Sequence, residues 1–131
     1  MADIPENLKY TEEHEWARIE DEVVVIGITD FAQEALGEIV FVELPSEGQE
    51  LEIGDTFGGV ESTKSVSDLF SPISGDVVEV NELLLDSPEN INTDPYGEGW
   101  IIKISPSNTD EFDELMEPSE YSEYIENLDE N

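Results

Sequence analysis

Gly58-Gly59-Val60-Glu61-Ser62-Thr63-Lys64-Ser65-Val66-Ser67-Asp68-Leu69-Phe70 is the stretch on which the reading of this chain turns. Two β-type runs, Phe57 to Ser62 and Val66 to Phe70, are separated only by Thr63-Lys64-Ser65. So short a break between alternating runs predicts a tight hairpin, with Lys64 exposed at its tip.

The same grammar continues outward in both directions. Further β-type runs are Trp16 to Glu20, Val23 to Ile28, Ile39 to Leu44, Val77 to Asn81 and Trp100 to Ile104. Asp21-Glu22 brings the first pair close enough for another hairpin, and Pro45-Ser46-Glu47-Gly48, Ser71-Pro72 and Ser74-Gly75 punctuate later connections. Short strands at this spacing predict a mainly β chain, a sandwich or barrel. Two interruptions read as helix. Thr29 or Asp30 can cap a short helix through Leu36 that Gly37 ends. Near the C-terminus, Asn108 or Thr109 can cap a turn through Met116, and Pro118 suits the first helical position. Beyond it, Tyr121, Tyr124, Ile125 and Leu128 fall at helical spacing and should pack on the sheet. Asp86 to Tyr96 is polar enough to be a surface loop, and Asn127 to Asn131 the only stretch open to a disordered reading. The 131 residues make one domain in this reading, a β body over about 8–105 and a C-terminal helical segment over about 108–127.

Charge narrows the partners. Thirty-five Asp plus Glu against four Lys plus Arg leave a formal −31, which repels nucleic acid and anionic membranes. The acids are interspersed with apolar runs, and 37% of residues are hydrophobic, so the chain should fold. Salt relieves such self-repulsion, because the screening length falls from about 10 Å at 0.1 M to about 3 Å at 1 M. The balance resembles that of halophilic proteins. Cysteine is absent, which removes disulfides and thiolate metal sites. Met1 to Glu6 lacks the basic and apolar regions of a signal peptide, and Val23 to Ile28 is too short to cross a bilayer, so the expectation is a soluble, cytoplasmic protein.

A lysine at a turn is ordinarily just solvated. A lysine at the tip of a rigid hairpin also suits a carrier, because a prosthetic group amide-linked there can sweep between active sites while the fold stays still. Other segments join the argument: Tyr10-Thr11-Glu12-Glu13-His14-Glu15-Trp16, Ile26-Gly27-Ile28-Thr29-Asp30-Phe31-Ala32-Gln33, and Leu36-Gly37-Glu38-Ile39-Val40-Phe41-Val42-Glu43-Leu44-Pro45. Glu61-Ser62-Thr63-Lys64 with Ser67-Asp68, Ser71-Pro72-Ile73-Ser74-Gly75, and Ile91-Asn92-Thr93-Asp94-Pro95-Tyr96-Gly97-Glu98-Gly99-Trp100 follow in order. With these motifs the chain resembles the glycine cleavage system H-protein family from about residue 8 to residue 126.

The resemblance implies a barrel-sandwich hybrid of two antiparallel sheets, with the lysine hairpin at one end and the terminal helix packed outside. It implies that Lys64 is similar to the lysine bearing lipoate, with Glu61, Ser62 and Thr63 read by the lipoyl-attaching enzyme. The lipoyl group would accept an aminomethyl group from a pyridoxal-phosphate glycine decarboxylase and pass it to a tetrahydrofolate-dependent aminomethyltransferase. A dihydrolipoyl dehydrogenase would then restore the disulfide, and the chain itself would be a shuttle rather than an enzyme. Between visits the loaded arm would fold into a cleft, for which Glu15, Asp68 and His14 are the candidates. Glu13 stands where some relatives carry serine, two residues before the cleft acid.

Other readings have less behind them. With so many acids, any one carboxylate is first of all a surface charge. His14, the sole histidine, has neither a nucleophile nor a second histidine in a recognisable motif, so packing or orientation of the cleft fits it better than catalysis or metal binding. Glu12-Glu13 and Asp21-Glu22 lack calcium-loop spacing, and the glycines lack phosphate-loop spacing. Thr63-Lys64-Ser65 matches neither a biotinyl domain, with its flanking methionines, nor the Asp-Lys-Ala tip typical of 2-oxoacid dehydrogenase lipoyl domains. An H-like protein that is never lipoylated, or that only relays lipoate, remains the alternative.

Overall fold

The computed structural model describes residues 4–129. Nine strands are formed: β1 Lys9–Tyr10, β2 Glu15–Glu20, β3 Val23–Ile28, β4 Ile39–Glu43, β5 Glu50–Leu51, β6 Thr56–Ser62, β7 Val66–Phe70, β8 Gly75–Val80 and β9 Ile102–Pro106. Five helical segments punctuate them: α1 Asp30–Leu36, α2 Leu83–Asp86, α3 Asn90–Thr93, α4 Asp110–Asp113 and α5 Pro118–Asp129. The strands make two antiparallel sheets, a six-stranded one in the order β1-β2-β3-β9-β8-β5 and a three-stranded one in the order β4-β6-β7. The sheets face each other without closing into a barrel.

The apolar run in β3 explains how the layers stack. Val24, Ile26 and Ile28 point into the space between the sheets, where they meet Ile102, Ile104 and Val77 from the large sheet and Ile39, Val42, Val60 and Leu69 from the small one. Val25, one residue out of phase, joins Leu8, Tyr10, Trp16, Tyr121 and Ile125 on the opposite face. A strand covered on both faces has no reason to alternate, and β3 does not. Trp16 stands directly across from Gly27, and its ring lies where a Cβ on residue 27 would sit, at 2.7 Å. Asp21 and Glu22 close the β2–β3 hairpin with φ of 46° and 72°, the left-handed backbone that two-residue hairpins favour.

The helix α1 is capped as the sequence suggests: the Thr29 hydroxyl accepts from the Ala32 N–H at 3.2 Å, and Gly37, at φ 83°, returns its N–H to Gln33. The helix α5 begins at Pro118 and seats Tyr121 flat against Tyr10, ring centroids 4.7 Å apart. Tyr121 and Ile125 are buried, but Leu128 is 41% exposed, so the expected stripe leaves the sheet before its last member.

Three expectations need correction. Asp86 to Tyr96 is not a plain loop: it carries α3, with Ile91 fully buried. Its polarity misleads because Asn92 satisfies backbone, accepting from the Ile39 N–H and donating to the Gly37 carbonyl. The strand β9 starts at Ile102, leaving Trp100 half-buried ahead of it. The two-residue strands β1 and β5 are too short to leave any period in the sequence. Asn127 to Asp129 belong to α5, and Glu130 and Asn131 lie outside the described residues. Among the described residues no helix is long and apolar enough to cross a membrane.

Candidate functional site

The β6–β7 hairpin turns on Thr63-Lys64, and one side chain builds the turn. The Ser62 hydroxyl oxygen accepts from the Lys64 N–H at 3.1 Å and the Ser65 N–H at 3.0 Å, and its proton goes to the Ser65 carbonyl at 3.2 Å. The Ser62 N–H closes the ladder onto the same carbonyl. Thr63 ties the tip to the rest of the molecule, donating its N–H to the Glu38 carbonyl ahead of β4. The backbone at the tip is therefore held, while the Lys64 side chain is exposed. Among the described residues, Lys9, Arg18 and Lys103 each pair with a carboxylate, and Lys64 does not. Its stem crosses Gly37 so closely that a Cβ there would stand 2.9 Å from Lys64 Cε.

Beside the hairpin a cleft of about 180 Å³ opens between α1 and β7. Phe31, Ala32, Ala35 and Leu36 from α1, with Ile28 and Leu69, form its apolar lining. Glu13, His14, Ser67 and Asp68 supply its polar groups. The small Ala32 and Ala35 leave the room that larger helix formers would fill.

Two titratable groups at this cleft are held unusually, Glu15 behind the lining and His14 within it. Glu15 is 2% exposed and is not among the lining residues; its carboxylate accepts from the Phe70 N–H of β7 at 2.9 Å and from the Thr11 hydroxyl at 3.3 Å. Burial pushes its pKa up to about 8, against the pull of those two donors. His14 has φ 67°, a left-handed backbone that few non-glycine residues adopt. Its ring stands 4.8 Å from Phe31, and its Nδ1 lies 2.9 Å from the Tyr121 hydroxyl, which in turn lies 2.7 Å from the Thr29 hydroxyl. Burial lowers the His14 pKa and raises that of Tyr121 to about 12. The chain His14–Tyr121–Thr29 thus fastens α5 to the cap of the helix that lines the cleft.

The family model described as Glycine cleavage H-protein matches residues 8–128. This chain belongs to that family. It is similar to a "Glycine cleavage system H protein" of Carboxydothermus hydrogenoformans, 53% identical over 126 residues that cover 96% of this chain and 97% of the relative. The protein of the same name from Anaeromyxobacter sp. strain K is 55% identical over 124 residues, covering 95% and 97%. The crystal structure of a glycine cleavage system H protein from Mycobacterium marinum superimposes with a TM-score of 0.86 at 45% identity, covering 93% of this chain and 98% of that one.

In this member of the family the residues about Lys64 fit a lipoyl group. The amine is exposed and lacks an ion pair among the described residues, the missing side chain at Gly37 leaves a track for its stem, and the cleft beside it pairs an apolar wall with carboxylates. Of the cleft candidates, Asp68 and His14 line the space, and Glu15 lies behind it, bracing β7. Ser62 faces its own turn, Thr63 holds the tip through its backbone, and Glu61 projects from β6, exposed. Sequence reasoning passed over Gly37, Ser67 and Tyr121 as site residues. Each had left another signal, Gly37 as the end of a helix, Ser67 within the lysine motif and Tyr121 as the first member of the α5 stripe.

Proposed function

We propose that this chain carries lipoate in amide linkage on Lys64 and serves the glycine cleavage system as its shuttle rather than as an enzyme. Its partners in this reading are a pyridoxal-phosphate glycine decarboxylase, a tetrahydrofolate-dependent aminomethyltransferase, a dihydrolipoyl dehydrogenase and a lipoyl-attaching enzyme. The observation that carries the reading is Lys64 itself, the one lysine or arginine without an ion pair among the described residues, on a braced turn beside a cleft. When bound, lipoate supplies a redox-active disulfide that a cysteine-free chain lacks. The chain's own residues do the rest. Ser62 and Thr63 fix the base of the arm, α1 offers a wall that excludes water, and Asp68 and Glu13 attract a cationic amine into the cleft. Glu15 holds β7, and with it Asp68, in place.

Intact-mass spectrometry of the protein from its native host, with fragmentation across Lys64, tests this. A lipoyl-sized increment on Lys64 is expected. An unmodified Lys64 in cells that make lipoate would instead favour an H-like binding protein or a lipoate relay.

We read the 131 residues as one domain working in the cytoplasm, and the charge as adaptation to concentrated salt. Only three ion pairs among the described residues offset the 35 acids, so folding crowds carboxylates that free ions must screen. The melting temperature should rise between about 0.1 M and about 3 M KCl, where screening reaches down to about 3 Å or less. A midpoint that stays constant across that range would remove the halophilic reading.

A further inference from the structure

The outer face of the small sheet groups apolar side chains on a surface otherwise rich in carboxylates. Residues Phe41, Glu61 and Val66 are directly opposite one another across β4, β6 and β7, so their side chains share the face turned away from the core. Phe41 is 51% exposed and Val66 70%. The register shift between Ile39 and Phe41 lets Val40 come out as well, at 50%. The helix α2 packs against β4 and carries Leu83 and Leu85, 44% and 57% exposed. Val40, Phe41 and Val66 thus lie on β4 and β7 of the small sheet, Leu83 and Leu85 on the adjoining α2, and the turn bearing Lys64 ends the sheet's outer face. Scattered exposed apolar residues need no explanation, but a grouped set beside a reactive lysine marks a contact surface.

We propose that this face docks the enzyme that forms the amide on Lys64, through an apolar patch bordered by lysine and arginine. The proposal rests on the reading of Lys64 as the lipoylated residue. Two features select the occupant. The first is reach: before the arm exists, an enzyme must bring its reaction centre to within the length of a lysine side chain, so its body must lie on surface next to the tip. The α1 side of the tip is taken up by the Lys64 stem and the cleft, and the β4–β6–β7 face is open. The second is charge. Glu61 stands within the Phe41–Val66 row, and Glu43 occupies the next row, both exposed and in none of the ion pairs of the described residues. An acidic border of this kind selects a cationic rim and speeds encounter.

The test is steady-state lipoylation of the full-length unmodified chain by the host's lipoyl-attaching enzyme, with lipoate and ATP supplied and intact mass as readout. The double variant Phe41→Ser, Val66→Thr should raise KM for the chain roughly tenfold with kcat within about twofold, the scale of losing a small contact patch. Leu85→Ser, on a separate element, should raise KM in the same direction. Ile53→Ser is the control: Ile53 is 54% exposed but precedes β6, at the strand's other end from the hairpin, and its KM should match wild type. A double variant with wild-type KM, or a control that weakens binding as much, overturns the proposal. Wild-type chain that takes up no lipoate overturns the Lys64 reading along with it.

Discussion

Lys64→Arg should abolish lipoyl attachment and reduce glycine-dependent turnover in the reconstituted system to background, while leaving the melting temperature where it was. Arginine keeps the charge and most of the length, but its guanidinium stays protonated and does not form the amide. Thermal stability should not move, because the side chain is exposed and joins no ion pair among the described residues, and the turn is held by Ser62 and by backbone. Lys9 and Lys103 cannot substitute, since each is paired with a carboxylate and neither sits on a turn. Intact mass and a coupled assay check the outcome together. Lipoyl mass on either of those lysines, or turnover retained by the variant, would dismiss the assignment.

The second large effect concerns Glu15 and pH. Its pKa in the folded protein is raised from 4.5 to about 8. Between those values the folded chain holds a proton that the unfolded chain has released, so stability is greatest below the unfolded value and is lost as pH rises through the folded one. The free energy at stake is on the order of a few kcal/mol. Glu15→Gln keeps the side chain's size and an oxygen for the Phe70 N–H but removes the titration. The two proteins should unfold at similar denaturant concentrations near pH 5. As pH rises towards 8.5 the wild type should weaken relative to the variant. Comparing the two cancels the background repulsion of the other acids, which both share. Parallel pH profiles would mean that Glu15 is ionised throughout.

The reading of the sequence succeeded where chemistry is local. A break of three residues between two β-type runs makes a tight hairpin with Lys64 in its turn, a threonine ahead of a short helix can cap it, and alternation reports a half-covered strand. It failed where distant segments decide. The N–H that holds Glu15 comes from Phe70, fifty-five positions away, and the hydroxyl beside His14 from Tyr121, at a separation of 107. Nothing near Glu15 distinguishes it from the exposed Glu12 and Glu13 that precede it. The segment over 86–96 failed for a related reason, since polar side chains look alike whether they serve water or a buried backbone.

The clasp between His14 and Tyr121 also sets an order of events during synthesis. The lysine hairpin and the helix α1 are complete when about the first half of the chain has been made, but Tyr121 and Tyr124, which flank His14, belong to the last segment made. At elongation rates of roughly 5–20 residues per second, the back of the cleft is finished only seconds after its mouth. A nascent chain would present its lysine before the two tyrosines that brace His14, in the cleft wall, had been made.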